Sequence, residues 1–219
     1  MITKTIEDYL KVIFQVEEAQ GTVSTTDLAA ELGVAPASVT GMLKKLAAHD
    51  LVTYTPYQGV TLTAHGRAIA LRVVRYHRLA EQYLAEVLGM PWDEVHAEAE
   101  ELEHALSEQV VGRIDAALGR PTTDPHGEPI PTEDGRMPDL DDVPLDSLAV
   151  GDRAVVARVS SREASFLRYL GSMGIYPGAR VQVIAVAPFD GPLTAQVGER
   201  QYAIGRTAAA QVFVRAEKT

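Results

Sequence analysis

The chain reads as a mainly α-helical protein with small β elements: a winged helix-turn-helix, then long helices, then a small β-barrel. Three observations predict this. Three helix-periodic stretches separated by glycine turns precede a pair of short strand-like runs before residue 63. Two longer amphipathic patterns follow, up to residue 118. Beyond residue 150 the pattern changes to short apolar runs punctuated by Gly and Pro.

Residues 2–20 carry Ile6, Leu10, Ile13, Phe14 and Val16 near helical spacing and stop at Gly21. Ser24 to Asp27 supply N-cap candidates for a short helix over 27–32, which Gly33 ends. Pro36 suits a first helical position, and Ala37 to Ala48 continue with Val39, Met42, Leu43 and Leu46 on the buried face. Residues 51–56 and 60–63, joined across Gln58-Gly59, read as a hairpin.

In such a unit the second helix of the motif enters the major groove and the hairpin lies along the backbone. Pro36, Ala37, Ser38, Thr40, Gly41, Lys44 and Lys45 lie on or near the exposed face of that helix. Small and hydroxylic side chains suit thymine methyls and base edges, and the lysines suit phosphates. Charge agrees locally: from Leu32 to Leu79 the one acid is Asp50, against Lys44, Lys45, Arg67, Arg72, Arg75 and Arg78.

Thr63 is placed to cap a helix over 64–89 with Ile69, Val73, Tyr76, Ala80, Tyr83 and Val87 as its stripe. A further helix is expected over 92–118. On it His96, Glu100, Glu103 and His104 fall within an arc of about 100° beside an apolar stripe. His77 and Glu81, spaced i,i+4 on the preceding helix, add an imidazole and a carboxylate. Histidines and carboxylates beside the core stripe, not opposite it, point to divalent cations instead of a solvated face.

The net charge of −10 argues against indiscriminate nucleic-acid binding, and residues 76–148 concentrate the acid, with 18 Asp/Glu against 4 Lys/Arg. The chain has no cysteine, which removes disulfides, thiolate zinc sites and cysteine nucleophiles and suits a reducing cytoplasm. The N-terminal helix lacks the apolar core of a signal peptide and no run is long enough to span a bilayer, so the expectation is a cytoplasmic protein without membrane partners. Residues 119–144, with six of the twelve prolines, read as a partly ordered loop and linker. Short strands over 154–159, 180–186, 194–197, 201–204 and 211–214, with a helix over 163–173, form the expected barrel; it contains no catalytic constellation.

Together these residues resemble the diphtheria toxin repressor and manganese transport regulator family. The likeness runs through Glu7-Asp8-Tyr9-Leu10, Pro36-Ala-Ser-Val-Thr40, Leu62-Thr-Ala-His-Gly66, His77-Arg-Leu-Ala-Glu81, Glu100-Glu-Leu-Glu103-His104 and Pro125-His-Gly-Glu-Pro-Ile-Pro131. The resemblance implies a DNA-binding domain over 1–72, a helical metal-binding and dimerisation domain over 73–140, a linker over 141–149 and an SH3-like (FeoA-like) domain over 150–219. It implies a homodimer on palindromic operator DNA, with metal activating repression of metal-uptake genes and no organic substrate.

It further implies a primary site of Asp8, Glu100, Glu103 and His104 and an ancillary site of His77, Glu81 and His96. Glu163 aligns loosely with a stretch that donates extra ligands. Carboxylates at positions 8 and 100, where iron-responsive members carry Met and Cys, favour Mn²⁺ first and Fe²⁺ second, with Zn²⁺, Co²⁺ or Cd²⁺ able to substitute in vitro. Lys11 stands where manganese regulators have a glutamate, which implies a separate ancillary site in place of a close metal pair. Asp124 and Glu128 stand near the family's anion-binding serine and asparagine, so of that site only Arg78 carries over. Gly41 replaces a base-proximal glutamine, which shifts readout toward shape and methyl contacts. A metal-independent winged-helix regulator is the alternative. A di-metal carboxylate enzyme is disfavoured, because no second Glu-x-x-His pair accompanies Glu101 and His104.

Overall fold

A computed structural model describes residues 3–55, 58–160 and 163–217. Expectations that fall on Ile2, Pro56, Ser161 and Arg162 lie outside the described residues. The chain divides into two compact units. The first comprises residues 1–77, 103–106 and 131–137, and the second comprises 78–102, 107–130 and 138–219.

In the first unit, α1 (Lys4–Gln20), α2 (Thr25–Glu31) and α3 (Pro36–Ala48) are followed by β1 (Val52–Thr55), β2 (Gly59–Leu62) and the opening turns of α4 (Ala64–Glu86). The order is that of a winged helix. Leu10, Ile13, Leu28, Val39, Leu43, Leu46, Ala70 and Val73 share one apolar core. Ser24 and Asp27 form a reciprocal capping box at the start of α2, and Pro36 opens α3.

β1 and β2 pair antiparallel from Val52 opposite Leu62 to Thr55 opposite Gly59. Thr63 ties this hairpin to α4: its hydroxyl donates to Asp50 O and accepts from Gly66 N. Gly66 is required by sterics, since a Cβ there would lie 1.9 Å from Leu51 O.

The second unit holds the remainder of α4, then α5 (Val95–Leu102), α6 (Glu108–Ala117), β3 (Val143–Pro144), β4 (Arg153–Val159), α7 (Ala164–Ser172), β5 (Arg180–Val186), β6 (Leu193–Val197), β7 (Arg200–Ile204), α8 (Arg206–Ala209) and β8 (Val212–Ala216). Its antiparallel sheet runs β3-β8-β4-β5-β6-β7, with irregularities in β4 at Val156/Arg158 and in β5 at Val183/Ala185 that curve it around Val156, Leu167, Leu170, Val183, Ile204 and Val214.

Two expectations are corrected. The single helix over 92–118 is two helices, because α5 ends at Leu102 and Ser107 starts α6 afresh by accepting from Val110 N. Glu103 and His104 therefore leave the helical face that carries His96 and Glu100. The proline-rich stretch after residue 119 is also more ordered than its composition implies. Asp124 Oδ1 accepts from the backbone N–H of His126 and Glu128 and folds 124–130 into a tight loop. That loop lies on β4, where Val159 N donates to His126 O. Gly127, at φ +84°, fits there because a Cβ would meet Ala157 O at 2.1 Å.

Candidate metal centres

In the first unit, Asp8, Glu103 and His104 bring one ligand atom each within 4.8 Å of one another. Asp8 is half-buried on α1, and Glu103 and His104 occupy the turn after Leu102. His104 Nε2 lies 2.8 Å from Asp8 Oδ1 and 3.1 Å from Glu103 Oε1, yet it is buried without a hydrogen-bond partner. His104 Nδ1 is 2.9 Å from Glu7 Oε2, and Glu7 is itself held by Arg72 at 3.2 Å. An Nδ1–H donating to Glu7 leaves the Nε2 lone pair directed between two carboxylates, the arrangement of a carboxylate–histidine–metal triad. An orphaned imidazole nitrogen beside two hard oxygens fits a divalent cation.

Glu103 has no exposed side-chain surface; Lys11 Nζ sits 2.6 Å from its Oε1 and His77 Nδ1 2.5 Å from its Oε2. Partial burial pushes the Asp8 carboxyl above its ordinary range, against the opposing pull of His104 and Lys11.

In the second unit, Glu81 is buried on α4. His96 Nδ1 is 3.1 Å from Glu81 Oε1, and His96 Nε2 is 3.6 Å from Glu100 Oε1. The other oxygen, Glu81 Oε2, faces His126 Nδ1 at 3.7 Å, and Glu81, Asp124 and His126 form a fully buried candidate ligand group.

Burial, with Glu81 close by, pushes the Asp124 carboxyl up to about 7. Burial alone would lower His126, but its hydrogen bond to and charge interaction with Glu81, joined by Asp124, raise it to about 9. His126 Nε2 also lies 2.7 Å from the carbonyl of Trp92, the chain's single tryptophan. Sequence reasoning passed over His126. The signal it offers is a histidine between two acids, Asp124 and Glu128, in a loop of glycine and prolines.

Arg78 donates to Pro129 O, pairs with Glu128 at 3.1 Å and approaches Asp124 at 3.8 Å. Arg158 holds the other Glu128 oxygen at 3.0 Å and stacks its guanidinium 3.6 Å from the Phe213 ring centroid. Glu128 thus supplies, from the chain itself, the negative charge between two guanidinium groups. Glu163 is exposed at the N-cap of α7, where its carboxylate accepts from the Ser165 hydroxyl.

Along α3, Pro36, Ala37, Ser38, Gly41, Lys44 and Lys45 are exposed, and Thr40, half-buried, returns its hydroxyl to Pro36 O at 3.1 Å. From Pro36 to Gly41 the exposed side chains are small, which suits close approach to a groove, and the two lysines follow one turn later.

A winged helix with an exposed α3 face, joined in one unit to a donor set that fits a cation, is the architecture of a metal-responsive DNA-binding protein. Comparison with known proteins agrees. The N-terminal DNA binding domain of iron dependent repressors matches residues 1–60, their metal binding and dimerisation domain residues 63–132, and the FeoA domain residues 143–216. The iron-dependent repressor IdeR of Mycobacterium tuberculosis is 34% identical over 195 residues, covering 83% of this chain and 84% of that protein. The HTH-type transcriptional regulator MntR of Bacillus subtilis is 36% identical over 114 residues, 52% of this chain and 80% of that one. A solved manganese-dependent transcriptional repressor in complex with manganese superposes with a TM-score of 0.91 at 41% identity, covering 97% of this chain and all of that one. The chain belongs to the iron-dependent repressor family, the diphtheria toxin repressor and manganese transport regulator group of metal-dependent transcriptional regulators, which are not enzymes.

Proposed function

We propose that this protein is a Mn²⁺-activated repressor of metal-uptake genes that binds a palindromic operator as a cytoplasmic homodimer. The observation that carries this reading is His104 Nε2, buried, without a hydrogen-bond partner, and aimed between Asp8 and Glu103. Glu7 fixes the imidazole and Arg72 fixes Glu7, so the nitrogen is oriented before any ion arrives.

When bound, a divalent cation supplies a positive charge that joins the α1 carboxylate to the turn carrying His104. Asp8 is the coupling residue, because it lies on the first helix of the DNA-binding unit, and Glu100 is the expected fourth donor. His77, Glu81 and His96 remain the proposed ancillary set, and Glu81, Asp124 and His126 support a further site. Oxygen-rich donors favour Mn²⁺ over softer choices, with Fe²⁺ second; Zn²⁺, Co²⁺ and Cd²⁺ bind such sites in vitro. Symmetry then presents two α3 helices to successive major grooves, through Pro36, Ala37, Ser38, Thr40, Gly41, Lys44 and Lys45. Linkage requires DNA to tighten metal binding by the factor by which metal tightens DNA binding.

The test is selection of random duplexes by the purified protein with chelator, Mn²⁺, anaerobic Fe²⁺ or Zn²⁺. A palindrome enriched only with metal, best with Mn²⁺, is the expected result. Equal enrichment in chelator would establish a metal-independent regulator in its place.

A further inference from the structure

Lys11 is 3% exposed, on the same face of α1 as the ligand-bearing turn, and its ammonium meets Glu103 Oε1 at 2.6 Å. That oxygen is also the one that faces His104 Nε2 at 3.1 Å. An ordinary buried ion pair neutralises a carboxylate nothing else needs. Here the lysine holds the donor atom that completes the Asp8, Glu103 and His104 group. Its surroundings exclude water, so the ammonium pairs with Glu103 in place of being solvated. We propose that Lys11 is a built-in competitor for the metal and sets the concentration at which the site fills.

The inference rests on the reading of Asp8, Glu103 and His104 as a cation site and adds to it the residue that tunes its affinity. Without metal, Lys11 supplies the positive charge that lets Glu103 be buried. An incoming divalent ion either displaces Lys11 from Oε1 or shares that oxygen with it, and in both cases like-charge repulsion weakens binding. The same residue therefore stabilises the metal-free fold and raises the metal requirement. A neutral side chain of similar length reverses both effects together. Arginine, which keeps the charge, reverses neither.

The experiment compares wild type, K11M and K11R by calorimetric titration with Mn²⁺ and by thermal melting in chelator and in excess Mn²⁺. Each is placed in a His126→Ala background, which serves as the wild type at position 11, so that heat from the second unit's buried cluster is removed. In K11M the Mn²⁺ Kd is expected to tighten at least tenfold and the melting temperature in chelator to fall. The Mn²⁺-induced rise should exceed that of wild type. K11R should keep the wild-type Kd. A K11M chain that folds only when Mn²⁺ is present supports the proposal, and K11Q then supplies the Kd. An unchanged or weaker Kd in a folded K11M or K11Q, with melting lowered equally in both conditions, overturns it and leaves a structural ion pair. Absence of Mn²⁺ binding by wild type and variants alike overturns the cation-site reading itself, whereas binding by the wild type with an unchanged K11M Kd removes only the role of Lys11.

Discussion

His126 Nε2 lies 2.7 Å from the carbonyl of Trp92, and the two rings are 5.7 Å apart between centroids. The sole tryptophan is thus a reporter beside the buried Glu81, Asp124 and His126 group. If those residues take up Mn²⁺, tryptophan emission changes on titration, and His126→Ala removes the change while Asp8→Asn retains it. An Asp8→Asn protein with silent fluorescence would mean that the signal comes from the first unit.

The same group makes metal-free stability pH-dependent. His126 rises from an ordinary 6.5 to about 9, so its contribution is complete below pH 6.5 and is lost as the pH climbs through 9. Asp124, raised from 3.8 to about 7, is more readily protonated folded than unfolded, so its contribution is likewise lost between pH 4 and 7. Both slopes point the same way. In chelator, melting temperature should fall from pH 6 to 9 more steeply in wild type than in His126→Asn. Since ligation needs the proton-free forms, Mn²⁺ should flatten the fall and release protons on binding, detectable as buffer-dependent heats.

Asp8→Asn separates sensing from folding, whereas Glu103→Ala disturbs both. Asp8 is half-buried, and its amide analogue should melt within a few degrees of wild type in chelator while losing at least tenfold of Mn²⁺-stimulated operator affinity, read by fluorescence anisotropy. Glu103→Ala removes the carboxylate that meets the Lys11 ammonium at 2.6 Å in a buried ion pair, a change that costs about 3–5 kcal/mol. Chemical denaturation in chelator should show that loss.

The order of elements was legible in the residues because each carried its own punctuation: Ser24 with Asp27, Pro36, Thr63 with Gly66. The strand over 180–186 was readable from apolar alternation alone. The break after Leu102 was not. The Glu100 to His104 run keeps helical spacing, and the contacts that hold Glu103 beyond the helix end come from residues distant in sequence, Lys11 and His77. Glu7 was invisible for a similar reason. A carboxylate on the first turns of a helix looks like a dipole partner until His104 is seen 2.9 Å away. His126 acquires its chemistry only when its loop folds back to Glu81.

Gly127→Ala tests that fold-back. A Cβ would meet Ala157 O at 2.1 Å in a left-handed backbone, so the expected cost is about 3 kcal/mol or more, seen as a lower denaturation midpoint. Loss of the Trp92 response to Mn²⁺ should accompany it, because His126 is the preceding residue.

At the DNA face, Lys44→Ala and Lys45→Ala should each weaken binding to specific and scrambled duplexes alike and reduce the slope of log affinity against log salt by about one. A loss confined to the specific sequence would instead assign that lysine to base readout.

The donor groups of both units consist of carboxylate oxygens and imidazole nitrogens, in a chain without cysteine. Peroxide has no thiolate to convert to sulfenic acid at either place. A sensor built this way has no thiol switch at its donor groups, so reversible disulfide or sulfenate chemistry cannot turn its response on or off and the supply of metal sets it instead.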